Sequence, residues 1–271
     1  MNFTPTNELE RLLVQAAHDP AARPRFCQLL LESQLFVLVP PNTAPHGERT
    51  LEKSENVPLV SWKKGEQDII PMFTSLPLLQ ETIKNSGQAL DYLTMRGKDL
   101  FGILGSGKIP AVLNPGCPAG KEFFVQEMQD LASGKFFEPP KPEIIPKERK
   151  ILLGQPAEYP HQLVEILTRY LSSQPAVEAA YLAQIDDPAS GVPSHLIFAV
   201  KIQGNIDPIM QQLVMVARDS LGPNKVADFT VLGRGGSLDD YFLTQTQPFY
   251  QRSSSTASAA PKSFFKRLMG G

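Results

Sequence analysis

Long apolar runs are missing from this chain. Its longest, such as Leu35–Pro41 and Leu196–Val200, are strand-length, and none approaches the ~20 apolar residues that a transmembrane helix requires. The N-terminus has no basic stretch followed by an apolar one, so no signal peptide is expected. Cysteine is scarce. Cys27 and Cys117 stand in unrelated contexts, form neither a CxxC motif nor a disulfide framework, and suit a reducing compartment. Charge is nearly balanced at a formal −2 over 271 residues; with no basic face to neutralise phosphates, nucleic acid is not expected as the main partner. His18, His46, His161 and His195 are scattered, with no paired ligand at i+3 or i+4, so neither a metal site nor a catalytic histidine is expected. No cofactor is implied, no fixed-period repeat is present, and the expected compartment is the cytoplasm.

What remains is an ordinary globular composition, 42% apolar and 20% charged, in a chain long enough for two cores. Asn7-Glu8-Leu9-Glu10 reads as a capping box, with Asn7 as the cap and Glu10 reaching back. The helix that follows carries Leu9, Leu12, Leu13, Ala16 and Ala17 on one face and ends at His18-Asp19-Pro20. A second helix from Pro24 buries Phe26, Leu29 and Leu30. Residues 35–39 form a strand closed by Pro40-Pro41, 42–56 a polar loop, and 57–63, with Trp62, another strand. Lys64-Gly65-Glu66-Gln67 then turns into the stretch Asp68-Ile69-Ile70-Pro71-Met72-Phe73-Thr74-Ser75-Leu76-Pro77, where an extended segment enters a helix with Ser75 as N-cap and Pro77 in the first turn. Helix over 76–85 closed by Gly87, extended segments over 89–95 and 111–114, helix over 97–104, and 121–125 as either a strand or the entry to a short helix ending by Ser133-Gly134 complete an α+β domain over 1–134.

Residues 136–146 hold four prolines in eleven positions, so 135–149 reads as an extended linker. Over 150–250 the order is β-α-β-β-α-β: strand 151–153, helix 161–172, alternating strands 177–185 and 196–202, helix from Asp207, and strand 226–232. That order predicts a ferredoxin-like second domain. Residues 251–271 form a tail: Arg252–Ala260 is Ser/Ala-rich with nothing to bury, a flexible tether. The last ten residues carry +3, which leaves −5 on the other 261.

Asn7-Glu8-Leu9-Glu10, Arg23-Pro24-Arg25-Phe26, Ile70-Pro71-Met72-Phe73-Thr74-Ser75-Leu76, Leu113-Asn114-Pro115 with Gly120-Lys121-Glu122-Phe123, and Pro248-Phe249-Tyr250, in that order over about residues 7–250, resemble the SseB family. The resemblance implies an N-terminal SseB domain joined to an SseB C-terminal domain, and a bacterial protein linked to serine sensitivity. It brings no catalytic residues and no cofactor.

Several motifs invite chemistry and have plainer readings. Gly102-Ile103-Leu104-Gly105-Ser106-Gly107-Lys108 has P-loop glycine and lysine spacing, but Ile109 supplies no hydroxyl for Mg²⁺ and Pro110 obstructs the required helix; a glycine turn is expected. Arg234-Gly235-Gly236-Ser237 is a second glycine loop, weakly suited to an anion at the short helix it feeds, with a turn capped by Ser237 as the plain reading. Asp186-Asp187 and Asp239-Asp240 read as solvated turn carboxylates, and Cys117 as an inert thiol. Gly270-Gly271 matches the ends of sulfur carriers, but those need a β-grasp fold that is not expected here. Thr74 and Ser75 lack an evident general base, so capping is their expected role.

The tail stands furthest above its plain reading. Phe264, Phe265 and Leu268 with Lys262, Lys266 and Arg267 make an amphipathic segment too short to be helical alone, which folds only when docked: on a protein groove by preference, with the acidic body of the chain or a membrane surface as alternatives. The expected function is a non-enzymatic interaction protein or adaptor that docks an unidentified protein through Phe264, Phe265, Lys266, Arg267 and Leu268. A weak homo-oligomer is the other association considered. The alternative function is a small-molecule (amino-acid) sensing or regulatory protein, by analogy with other ferredoxin-like units.

Overall fold

A computed structural model describes residues 3–41, 58–137, 151–188, 192–221, 225–235 and 237–252. The expected polar loop, most of the Pro-rich linker, Gly236 and the docking tail lie outside these residues. Among the described residues the protein is mixed α+β, with eight α-helices and two sheets.

In the first half, α1 (Glu8–His18) begins where Asn7 Oδ1 accepts the Glu10 amide, and buries Leu9, Leu12, Leu13 and Ala16. A 3-10 turn (Pro20–Ala22) links it to α2 (Arg23–Glu32). The strands β1 (Gln34–Val39), β2 (Trp62–Lys64), β3 (Gln67–Phe73), β4 (Asp91–Arg96), β5 (Ala111–Leu113) and β6 (Lys121–Phe123) form a sheet of order β4-β1-β3-β5-β6, with β2 a hairpin arm on β3. Gly65, at φ +65, supplies the tight β2–β3 turn. The period-2 alternation divides the sheet's residues between two faces. Leu35, Val37, Ile70 and Met72 meet α1, α2, α4 (Gly97–Gly107) and α5 (Val125–Ser133), whereas Leu38 and Phe73 meet Leu79 of α3 (Leu76–Ser86). Of the pairings made by β3, that with β5 is parallel, so the carboxyl ends of these two strands reach the same edge.

The second half contains β7 (Leu152–Gly154), α6 (His161–Ser172), β8 (Val177–Asp186), β9 (His195–Ile202), α7 (Asp207–Leu221), β10 (Ala227–Val231), α8 (Ser237–Gln245) and β11 (Tyr250–Gln251). Its first six elements have the expected βαββαβ order, but their pairing departs from a ferredoxin-like sheet. There the first and third strands would be parallel neighbours; here β7 runs antiparallel along β8 and β9 makes its parallel pair with β10. The physical reason is room. The long strand β8 takes β9 along one edge, and its other edge is shared by β7 at one end and β11 at the other. Both faces are covered: α6 and α7 pack on Ala180, Leu182, Phe198 and Val200, while Phe242 of α8 packs on Ala179, Tyr181, Ala183 and Ile197. A register shift between Val177 and Ala179 places these two residues on opposite faces, where simple alternation had put them together.

The halves meet through α2, the 3-10 turn before it, α6 and α7. Arg23 Nη1 lies 2.9 Å from Asp219 Oδ2 and Arg169 Nη2 3.4 Å from Asp19 Oδ1. Ala21 packs against the second core, and the Arg218 guanidinium sits 5.8 Å from the Phe136 ring centre. No helix among the described residues is long and apolar enough to cross a membrane.

Helix α4 runs three residues beyond its expected end and absorbs Gly102, Gly105 and Gly107. A Cβ on Gly97 would lie 2.1 Å from the Leu30 carbonyl oxygen, whereas one on Gly102 would meet nothing within 4 Å. Gly97→Ala is therefore expected to cost about 1–3 kcal/mol or more, and Gly102→Ala to add up to about 1 kcal/mol. Urea midpoints of the two variants test this pair of opposite signs; an unchanged Gly97→Ala midpoint would contradict the close contact.

Candidate functional site

The edge where β3 and β5 both end collects the motif residues of the first half into one buried polar network. Thr74 follows β3 and Asn114 follows β5 in the left-handed region at φ +49, which asparagine tolerates. Asn114 Oδ1 accepts the Thr74 amide at 3.0 Å, and its Nδ2 donates to Thr74 Oγ1 at 2.9 Å. The single Thr74 hydroxyl proton goes to Glu10 Oε1 at 2.8 Å in preference to Asn114 Oδ1 at 3.2 Å. Glu10 Oε2 accepts the Thr6 amide at 2.7 Å and the Thr6 hydroxyl at 2.8 Å. Asn7 Nδ2 closes the ring on the Thr74 carbonyl at 3.3 Å. Glu10 thus reaches back as the capping pattern predicts, but to the amide of Thr6 and not to that of the cap residue Asn7.

The Glu10 side chain is 0% exposed. Burial alone pushes its pKa up, but the Thr6 amide and the hydroxyls of Thr74, Thr6 and Ser75 outweigh it, and the net shift is downward. An anion so well held is a weak base, so the contact with Thr74 does not make the threonine a nucleophile. Ser75 occupies the α3 cap position with extended backbone but makes no side-chain capping bond. Its Oγ is buried without a hydrogen-bond partner and contributes by proximity to Glu10. The network is a structural pin.

The other sequence-derived candidates take these places. Gly102–Gly107 lie inside α4, and Lys108 is its left-handed C-cap at φ 56. That geometry provides no phosphate loop, because Gly105 instead admits α5, with Gln129 Nε2 donating to its carbonyl at 2.8 Å. In the second glycine loop the Gly233 and Gly235 amides both donate to Asp239 Oδ2, at 3.0 and 2.7 Å. An external anion at Arg234, Gly235 and Ser237 would have to displace this carboxylate; Gly236 is outside the described residues. Phe264, Phe265, Lys266, Arg267 and Leu268 are also outside them. Burial pushes the Cys27 thiol up to about 12, so it carries no thiolate. Among the described residues no three potential ligands gather for a metal ion.

Among the described residues, His195 is the histidine held by both a backbone carbonyl and a carboxylate. Its Nδ1 lies 2.8 Å from the Pro193 carbonyl and its Nε2 3.0 Å from Asp228 Oδ2. Burial disfavours the charged ring, but Asp228, the Pro193 carbonyl and the Asp187 charge outweigh it and raise its pKa.

Sequence reasoning did not anticipate the cleft between the halves. It has a volume of about 250 Å³ and is lined by Leu12, Asp19 and Arg25 on one side and Arg169, Tyr170 and Gln212 on the other. The Tyr170 hydroxyl donates to the Ile209 carbonyl at 3.0 Å and lies 3.2 Å from Gln212 Oε1, fixing α6 to α7. No sequence motif marks this place, because its residues come from helices more than a hundred positions apart. Domain interfaces are nevertheless where small-molecule sites concentrate.

Two family models match the chain: SseB protein N-terminal domain over residues 9–130 and SseB protein C-terminal domain over residues 145–252. The chain is 33% identical over 249 residues to Protein SseB of Escherichia coli (strain K12), covering 91% of this chain and 92% of that protein. Protein SseB of Shigella flexneri matches to the same extent. No solved structure gives a significant match.

Two stability predictions of opposite sign follow from the titrating groups. Glu10 has a lowered folded pKa, so its contribution is present above the usual carboxylate range and is lost as pH falls through the folded value. Glu10→Gln is expected to cost about 2–4 kcal/mol at neutral pH, since each orphaned buried donor costs about 1–3 kcal/mol, and to flatten the acid limb of a urea-midpoint profile. His195 has a raised folded pKa, so its contribution is full below its ordinary value of 6.5 and is lost as pH rises through the folded one. Asp228→Asn should remove that alkaline decline; a profile with its slope intact would show that the pair is not responsible.

Proposed function

The chain belongs to the SseB family, and from that premise we propose that it is a non-enzymatic interaction protein of the bacterial cytoplasm, docking a protein partner through its C-terminal segment. The observation that carries this reading is the composition of the segment: Phe264, Phe265 and Leu268 among Lys262, Lys266 and Arg267, a charge of +3 set against −5 on the rest. Burial of both rings and Leu268 would contribute roughly 5–8 kcal/mol gross, less the cost of ordering the segment. The structure corrects the start of the tail: Gln251 pairs with Ala179 in the second sheet, and Arg252, expected to begin the flexible tether, is anchored. Arg252 donates its amide to the Glu178 carbonyl at 2.8 Å and its guanidinium to the carbonyls of Val177, Gln174, Leu171 and Ser172. A cation on the last carbonyls of α6 also complements the helix dipole. The serine sensitivity that the family is named for would follow from the partner engaged.

Affinity purification from the native cell tests this with three baits: the full chain, a chain ending at Ala260, and Phe264→Ser/Phe265→Ser in the full chain. The expected outcome is that the partner recovered with the full chain is lost from both variants. Equal recovery by all three would overturn the reading.

A second reading, a small-molecule sensor, is favoured by the cleft between the two halves. A ligand at 100 times its Kd adds about 2.7 kcal/mol of stability, so a thermal-shift screen across amino acids, carboxylic acids and nucleotides reports it. No shift with any of them would remove this reading and leave the first standing.

A further inference from the structure

We propose that the cleft between the halves binds a small α-amino or α-hydroxy acid, with its carboxylate facing Arg25 and Arg169 and its neighbouring amine or hydroxyl facing Asp19. The inference rests on the sensor reading and supplies its ligand class. The cleft is small. At about 250 Å³ it falls below the ~300–1,000 Å³ typical of drug-sized pockets, which points to a ligand of a few carbons.

Its polar lining is mixed: two guanidiniums and one carboxylate line it, so it offers donors to a ligand carboxylate and an acceptor to a neighbouring ammonium or hydroxyl. Each guanidinium is steadied on one side by a carboxylate of its own half. Arg169 Nη1 is 2.7 Å from Glu165 Oε1 and Arg25 Nη2 is 3.3 Å from Glu8 Oε1. A guanidinium has five N–H donors in a fixed fork, so both side chains keep donors for a carboxylate beyond these bonds. Asp19 is held in place by the Ala21 amide at 3.1 Å and by Arg169 at 3.4 Å. Ionised, it is an acceptor only, and an acceptor beside two cations selects a ligand with a donor next to its own carboxylate. Gln15, Gln174 and Gln212 also line the cleft, with Leu12 and Pro24 as apolar members.

Isothermal titration calorimetry on the full chain tests the assignment. The probes are glycine, L-alanine and L-serine, glycolate and L-lactate, and the neutralised counterparts L-alaninamide and lactamide. At least one acid should bind saturably, with its amide silent. Arg169→Gln and Arg25→Gln should each weaken that binding roughly 10–100-fold, the factor a lost charge-assisted hydrogen bond implies. Gln15→Trp, at an exposed position on the rim, should block it. The Arg25 side chain is 73% exposed, so its variant keeps the test open if Arg169→Gln loosens the fold. Asp19→Asn should affect amino acids more than hydroxy acids if the donor is an ammonium. Binding untouched by Arg25→Gln and Gln15→Trp would place the site elsewhere. An amide binding as well as its acid would overturn the ligand class while the sensor reading stands, and silence of these probes alongside a thermal shift from another metabolite would do the same.

Discussion

The first half of this protein depends on one buried carboxylate. Glu10 sits on the first turn of α1, yet two of its three side-chain contacts are to Thr6 in the lead-in and the third is to Thr74 at the end of β3. Asn114, at the end of β5, ties the same Thr74 from the other side. One charge therefore fixes the entry angle of the first helix and the register of a parallel strand pair. A buried ion is costly unless each lone pair is served, and here amide and hydroxyl donors serve it, with no cationic partner among the described residues. Three of the five signature phrases meet here, one supplying Asn7 and Glu10, one Thr74 and one Asn114, and removing any of these residues leaves a buried polar partner unserved.

Much of this fold was legible in local pattern. Helices over 161–172 and from Asp207 carried a 3.6-residue period that their buried faces reproduce. The glycine stops at Gly87 and Gly134 sit in the left-handed region as helix ends require. What pattern could not show was pairing. The three-residue β7 and two-residue β11 take their edge from the length of β8, a property of the assembled sheet. The helix α4 overran its expected end because Gly105 packs against α5, a tertiary reason for a glycine that locally reads as a turn. The polar network was half visible. Its capping half is local and was anticipated, whereas the bond from Glu10 to Thr74 spans 64 positions and carries no local signal. The cleft was invisible for the same reason.

The two proposed readings, an adaptor and a sensor, draw on neighbouring residues. Gln174 lines the cleft, and its carbonyl accepts the 2.6 Å bond from Arg252, ten residues before Lys262, the first residue of the proposed docking segment. The C-terminal turn of α6 is thus one wall of the cleft and the mooring of the tail.

That adjacency matters because the ion pairs at the junction are weak. Among the described residues Arg23 pairs with Asp219 and Arg169 with Asp19 across it, all with part-exposed side chains, and pairs of this kind contribute about 0–1 kcal/mol each. The packing of Ala21 against the second core adds apolar contact of a single methyl group. A ligand whose carboxylate bonded guanidiniums from both halves would add terms of about 1.5–3 kcal/mol, as large as the crossing ion pairs together. It would shift the balance at this junction only through contacts that differ between its arrangements, and Arg169 supplies one, since its ion pair with Asp19 spans the joint. A weak joint beside a fixed tail anchor is therefore the physical condition under which binding at the first could be felt at the second.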